Sequence, residues 1–201
     1  MARVRTHTNP LNIKHRFNSS LLDDLQKNIP LDVEIGFGRG VFLRHWAKLN
    51  SNRNIVGIEV RKPIVDILQE RLVAEDIKNA VIFHGNGQYF LEDSVKDNSV
   101  DRLFIFHPDP WFKKRHHKRR VVKQDFLAIA YKKLKDNGLL CISTDVEPLW
   151  NEMLEQVLEN NFIKVEDKTF WNSQYNTHWK LFSEKDERKL FQHSFKKTIK
   201  S

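Results

Sequence analysis

Cysteine occurs once in this sequence, at Cys141. A single thiol excludes an internal disulfide and a cysteine-rich metal site, and it suits a reducing compartment. Cys141 lies in an apolar run, so it reads as a buried structural thiol rather than a nucleophile. Glycine is sparse too, at 7 of 201 residues. No apolar stretch approaches the roughly 20 residues of a membrane span. The opening residues, MARVRTHTNPLNIKHRF, lack the apolar segment of a secretory signal. They hold four Arg or Lys, and no acid precedes Asp23. They weakly resemble a transit peptide, and a basic arm over residues 1–30 that touches nucleic acid explains them equally well; the expected location is cytoplasmic. His116 and His117 are adjacent and face different ways, and no HExxH spacing is present, so no metal site is expected.

Hydrophobic residues at 40% and aromatics at 11% suffice for one sizeable core, so residues 1–201 read as a single domain. The formal charge of +8 points to a polyanionic partner, because much of the positive charge is also clustered. Short apolar runs suggest strands at Asp32–Ile35, Asn54–Ile58, Val81–His84, Val100–Phe106 and Gly138–Ser143. Between them, helical stripes run through Ile64, Ile67, Leu68 and Leu72, then Val122, Phe126, Ile129 and Ala130, then Trp150, Met153, Leu154, Val157 and Leu158. This alternation predicts an α/β fold, a mostly parallel sheet with helices on both faces. Phe162–Glu166 and Lys189–Lys197 would bring the sheet to seven strands, and the aromatic stretch over 167–188 is set before the last of them.

Three of the few glycines fall together in VEIGFGRG, at Gly36, Gly38 and Gly40. The spacing is GxGxG, not the dinucleotide fingerprint GxGxxG. Such a turn lets a ligand approach the backbone closely. GIEV places Glu59 at the end of the second strand, where a carboxylate can accept both hydroxyls of a ribose. Asn86, in the HGNGQ loop after the third strand, is positioned to meet the base. Glycines, acid and polar loop in this order resemble the class I methyltransferases, whose cofactor is S-adenosylmethionine.

The fourth strand ends in FHPDPWFKKRHHKRR. Pro108 and Pro110 each remove a backbone donor and restrict the residue before them, so Asp109 is presented stiffly. Six of the ten residues from Trp111 to Arg120 are Lys or Arg, with no acid among them. They can grip phosphates, while Trp111 and Phe112 offer flat surfaces for a splayed base.

EIGFGRG, GIEV, FHPDPWFKKRHHKRR and STDVEP together resemble the bacterial tRNA (guanine-N7)-methyltransferases, in the same order over most of the chain. The resemblance implies a Rossmann-like class I methyltransferase fold. It also implies transfer of a methyl group from S-adenosylmethionine to the variable-loop guanosine of tRNA, position 46. Cofactor contacts would come from Glu34, Gly36, Gly38, Glu59, Asn86 and Asp109, with Asp109 in the catalytic position. Substrate contacts would fall on Lys113, on Asp145 and on a late T-x-aromatic-E motif, here Thr177 and Trp179. That motif departs from the family at Lys180, where an acid is usual; Glu184 is the nearby acid that could replace it. The partner would be tRNA, with the enzyme a monomer or homodimer that needs no partner subunit and touches no membrane.

Competing readings are an RNA methyltransferase acting on an exocyclic amine or on ribosomal RNA, a non-catalytic RNA-binding module and a nicotinamide dehydrogenase. P-D-P-W is not the N/D-P-P-Y turn of amine methylation. A binding module would not need the ordered cofactor residues, and GxGxG argues against a dinucleotide. Asp145 has a second role open to it, as N-cap of the helix that starts at Glu147.

Overall fold

The computed structural model describes residues 8–22, 25 and 29–198, with Glu184 described in its backbone alone. Seven strands make one sheet: β1 (Leu31–Ile35), β2 (Asn54–Glu59), β3 (Ala80–His84), β4 (Val100–Phe106), β5 (Leu134–Thr144), β6 (Phe162–Val165) and β7 (Phe191–Lys197). Their order is β3-β2-β1-β4-β5-β7-β6. The first five are parallel, and β7 runs antiparallel to both β5 and β6. The strand order reverses between β1 and β4, and open α/β sheets bind ligands at that point, beyond the carboxyl ends of the strands.

Among the described residues six α-helices connect the strands: α1 (Val41–Leu49), α2 (Lys62–Ala74), α3 (Gly87–Ser94), α4 (Gln124–Lys133), α5 (Glu147–Glu159) and α6 (His178–Lys185). Alternation along the strands sends side chains to two separate cores. Val33, Ile105 and Ile142 pack with α3, α4 and α5, while Phe104, Phe106 and Cys141 pack with α1 and α2. Cys141 is fully buried, and burial pushes its thiol up to about 12. Among the described residues, no helix is long and apolar enough to cross a membrane.

The expected strands are present, with two boundaries moved by more than one residue. β5 starts at Leu134, four residues before the apolar run, because polar Lys135, Asp136 and Asn137 interrupt the pattern without breaking the strand. β7 starts at Phe191, not Lys189. Two helix stripes are also rotated from expectation. α2 buries Val65, Leu68 and Leu72 and leaves Ile67 about half exposed; α5 buries Val157 and exposes Leu158. In each case two adjacent apolar residues compete for one inward position, and the sequence does not say which wins.

The segment 167–188 contains a π-helical turn, Phe170–Gln174, followed by α6. Phe170, Trp171 and Tyr175 are buried against Phe42, Trp46, Phe104 and Phe106. Phe104 and Phe170 stack with centroids 5.5 Å apart, and Tyr175 meets Phe106 edge-on at 4.9 Å. Aromatic pairs of this kind contribute about 0.5–1.5 kcal/mol each beyond area burial. The segment is thereby anchored to the end of β4 where the proline turn begins. Phe170→Ala should destabilise the fold by about 3–5 kcal/mol. Urea unfolding measures this, and a midpoint shift worth less than about 1 kcal/mol would remove Phe170 from the anchor.

Candidate active site

A cavity of about 880 Å³ opens beyond the carboxyl ends of β1, β2, β4 and β5. Cofactor pockets typically occupy about 300–1,000 Å³, so this one can hold a nucleoside ligand with part of a second molecule. Of the residues singled out in the sequence, Glu34, Gly36, Gly38, Glu59, Asn86, Asp109, Asp145, Thr177 and Trp179 all line it. Lys113 does not; it is exposed on the outer surface, and Lys118, Arg119 and Arg120 line the wall instead.

The glycine turn forms the floor. Gly40, with φ 68°, caps α1 in a left-handed conformation, and a Cβ there would meet Leu68 Cδ2 at 2.4 Å. Gly36, with φ 78°, has no heavy atom near its missing Cβ, so its backbone is open to the cavity. Beside it Glu34 is buried, and among the described residues its Oε2 has no hydrogen-bond partner. Burial first, and the neighbouring Glu59 second, raise the Glu34 carboxyl to about 8. An orphaned carboxyl oxygen beside open backbone suits a ligand that carries positive charge. Glu59 is already held: Gly38 N–H donates to Oε2 at 2.9 Å, and Arg61 donates from Nε to Oε1 and from Nη2 to Oε2, both at 3.0 Å. A diol ligand would have to compete with Arg61 for that carboxylate.

Asn86 does two jobs. Its Oδ1 accepts the Gln88 N–H at 2.9 Å and caps α3, while its Nδ2 donates to the Pro10 carbonyl at 3.2 Å. Thr8, Pro10 and Leu11 of the N-terminal arm form part of this wall. Farther along, the arm runs beside α3, with Phe17 N–H donating to Asp93 Oδ2 at 2.9 Å. Gly85 has no room for a Cβ, because Phe17 Cζ would lie 2.3 Å from it.

The proline turn carries Asp109, which is half-buried at the rim. Its flanks are unusual: His107 and Trp111 both have φ 46°. Pro108 disfavours the right-handed α region for His107, and the chain takes the left-handed one there. Arg120 is buried and spans the turn, donating from Nε to the Pro110 carbonyl at 2.8 Å and from Nη1 to Glu152. It therefore braces the turn and is not available to phosphates. Arg119 lies 4.9 Å over the Trp111 ring, so that face is occupied and exposed Phe112 is the open ring. Lys114–Arg119 form a 3-10 helix whose exposed face includes Lys114, Arg115 and Lys118.

Asp145 does not cap α5. The cap residue is Val146 and has no side-chain bond, and Thr144 Oγ1 takes the Val146 N–H at 3.2 Å. The Asp145 carboxylate turns instead to His107 Nδ1 at 3.4 Å, Ser183 Oγ at 3.3 Å and Arg188 Nη1 at 3.1 Å. The His107 bond, with help from Arg188, holds its carboxyl well below the usual range. Thr177 Oγ1 accepts the Lys180 N–H at 2.8 Å. Lys180 folds back, Nζ donating to the Tyr175 carbonyl at 3.0 Å, so it does not stand where an acid would face a substrate. The Glu184 side chain lies outside the described residues. Among those residues no cluster of His, Cys, Asp or Glu could hold a metal ion.

Chemically, the cavity has an acidic lining, from Glu34, Glu59, Asp109 and Asp145, and a rim of cations in a chain of net charge +8. That arrangement admits a cationic ligand inside and a polyanion outside. A sequence profile of the family described as "Putative methyltransferase" matches residues 28–199. A tRNA (guanine-N(7)-)-methyltransferase of Shewanella frigidimarina is 41% identical over 123 residues, 61% of this chain and 52% of the relative. The chain spans about half the length of the curated relatives it matches first. Among solved structures, the 16S rRNA methyltransferase KamB superposes with a TM-score of 0.68 at 11% identity, over 92% of this chain and 96% of that one. A SAM-dependent methyltransferase from Aquifex aeolicus gives 0.57 at 13% identity, over 84% and 82%. These two likenesses concern the fold, which is that of Rossmann-like methyltransferases.

Glu34 makes stability depend on pH. Its carboxyl moves from an ordinary 4.5 to about 8 on folding, so between those values the native chain keeps a proton that the unfolded chain has lost. The stabilisation from this group is full below 4.5 and lost as pH rises through about 8. Glu34→Gln should therefore flatten the fall in urea midpoint across that interval. Parallel pH profiles for the two proteins would remove Glu34 as the cause.

Proposed function

The chain belongs to the methyltransferase family whose profile covers residues 28–199, and we propose that it transfers the methyl group of S-adenosylmethionine to N7 of the variable-loop guanosine of tRNA, position 46. The observation that carries this reading is the braced P-D-P-W turn, set between an acid-lined cavity and a basic 3-10 helix. The tRNA (guanine-N7)-methyltransferase relatives support the substrate, and the methyltransferase fold supports the donor.

S-adenosylmethionine, when bound, supplies a methyl group already activated on a sulfonium. N7 of guanine has a lone pair and no proton, so none of the chain's residues needs to act as a base. Glu34, buried with one oxygen unsatisfied, would ionise against the positive charge of the donor. Glu59 would receive the ribose in exchange for Arg61. Asp109, held stiffly at the rim, would face the purine as positive charge arrives there. Its role is electrostatic stabilisation of the transition state, with the sign reversed from an oxyanion hole. Asp109 and Asp145 also supply acceptors for N1–H and N2–H₂ of guanine, which adenine lacks in that arrangement. Lys113, Lys114, Arg115 and Lys118 are exposed and fit the phosphate backbone.

Incubating unmodified tRNA with labelled S-adenosylmethionine, then mapping the cleavage-sensitive purine, tests the reading. Label at N7 of the variable-loop guanosine is expected; label confined to an exocyclic amine or to ribosomal RNA would overturn it. Asp109→Ala should lower kcat by about 10²–10³ while leaving tRNA affinity, which rests mainly on phosphate contacts, largely intact. Unchanged turnover would end the catalytic assignment. Lys113→Ala combined with Lys118→Ala should weaken binding across tRNA sequences and reduce the salt slope by about 1–2. An unaltered slope would move the phosphate path elsewhere.

A further inference from the structure

His107 precedes the proline turn and is almost completely enclosed; its side chain is 1% exposed. Its backbone N–H donates to the Ser143 carbonyl at 2.8 Å, extending the β4–β5 pairing past Phe106. Its ring bonds on both sides. Nε2 lies 2.9 Å from the Tyr175 hydroxyl, and Nδ1 lies 3.4 Å from Asp145 Oδ1. The Tyr175 hydroxyl also meets Ser143 Oγ at 2.7 Å. Tyr175 and Ser143 are buried behind the cavity wall, whereas His107 and Asp145 line it.

One arrangement of protons in a neutral ring satisfies the whole set. Asp145, salt-bridged to Arg188, is a carboxylate and can only accept, so Nδ1 carries the hydrogen. Nε2 then accepts the Tyr175 O–H, and the Tyr175 oxygen accepts the Ser143 O–H. The set joins the ends of β4 and β5 to the segment that holds Thr177 and Trp179. It also stabilises a residue whose φ of 46° costs on the order of 1–3 kcal/mol unless its surroundings determine it.

We propose that His107 is a positioning residue. Its imidazole, fixed as the Nδ1-protonated tautomer between Asp145 and Tyr175, sets the direction of the Asp145 carboxylate and the seat of the Asp109 turn toward the purine. This deepens, and rests on, the functional reading above. The plainer alternative is a histidine that fills space in the core. That role would affect folding stability and both ligands alike, whereas positioning would affect the chemical step.

Two variants separate these roles. His107→Phe keeps the ring's bulk and deletes both nitrogens; Tyr175→Phe deletes one hydroxyl. For His107→Phe, kcat for tRNA methylation should fall on the order of 10²-fold, with the calorimetric Kd for S-adenosylmethionine unchanged. Tyr175→Phe should lose less, and the double variant should be no slower than His107→Phe, because the two groups act as a unit. Unchanged kcat in His107→Phe, or losses that multiply in the double variant, would overturn the proposal. A third readout does not depend on activity. Proton–nitrogen NMR of the full chain labelled at histidine should give the Nδ1-protonated tautomer for the signal missing in His107→Phe. An Nε2-protonated ring would overturn the proposal even in an active enzyme. Should the wild type methylate no tRNA, the functional reading fails, and the tautomer alone then decides the placement of His107.

Discussion

The site depends on a short loop of backbone held at both ends in a conformation that ordinary residues avoid. His107 and Trp111 are both left-handed, and between them two prolines fix φ at Pro108 and Pro110. Such strain survives only where neighbouring groups over-determine it. Here the Ser143 carbonyl takes the His107 N–H, Arg120 takes the Pro110 carbonyl, and Arg119 covers the Trp111 ring. The turn is braced from the sheet on one side and from the basic 3-10 helix on the other. Asp109 is thereby fixed relative to both the cavity and the cationic surface.

Charge is sorted around this turn. Positive residues dominate the chain, with 34 Lys and Arg against 26 Asp and Glu, yet four acids line the cavity. Each acid is handled differently. Glu59 is neutralised by Arg61, and Asp145 is held ionised by His107 and Arg188. Glu34 is buried with no cation paired to it among the described residues, and its raised pKa follows. A cationic ligand would complete what the fold leaves unbalanced at Glu34, and that is the electrostatic reason to read the floor of the cavity as a donor site.

The aromatic residues connect these two features. Phe42, Phe104 and Phe106 receive Phe170 and Tyr175, so the segment after β6 is anchored by packing rather than by regular hydrogen bonding. Tyr175 then presents its hydroxyl to His107. The same cluster that stabilises the second core therefore also seats the substrate-side segment against the proline turn.

The sequence by itself determined the alternating α/β pattern, the seven strands, the glycine turn, and most of the residues that line the cavity. Those are local facts: strands buried on both faces read as apolar runs, and glycine or proline at a strand end marks a turn regardless of what packs on it. Only the tertiary structure decided the partners. It turned Asp145 from the helix it could have capped toward His107, tied Arg120 to Pro110, folded Lys180 back onto Tyr175, and brought Pro10 to Asn86 across 76 residues. A side chain's type and neighbours in sequence limit what it can bind. Which of several donors reaches it first is settled by where strands and segments distant in the chain come to rest.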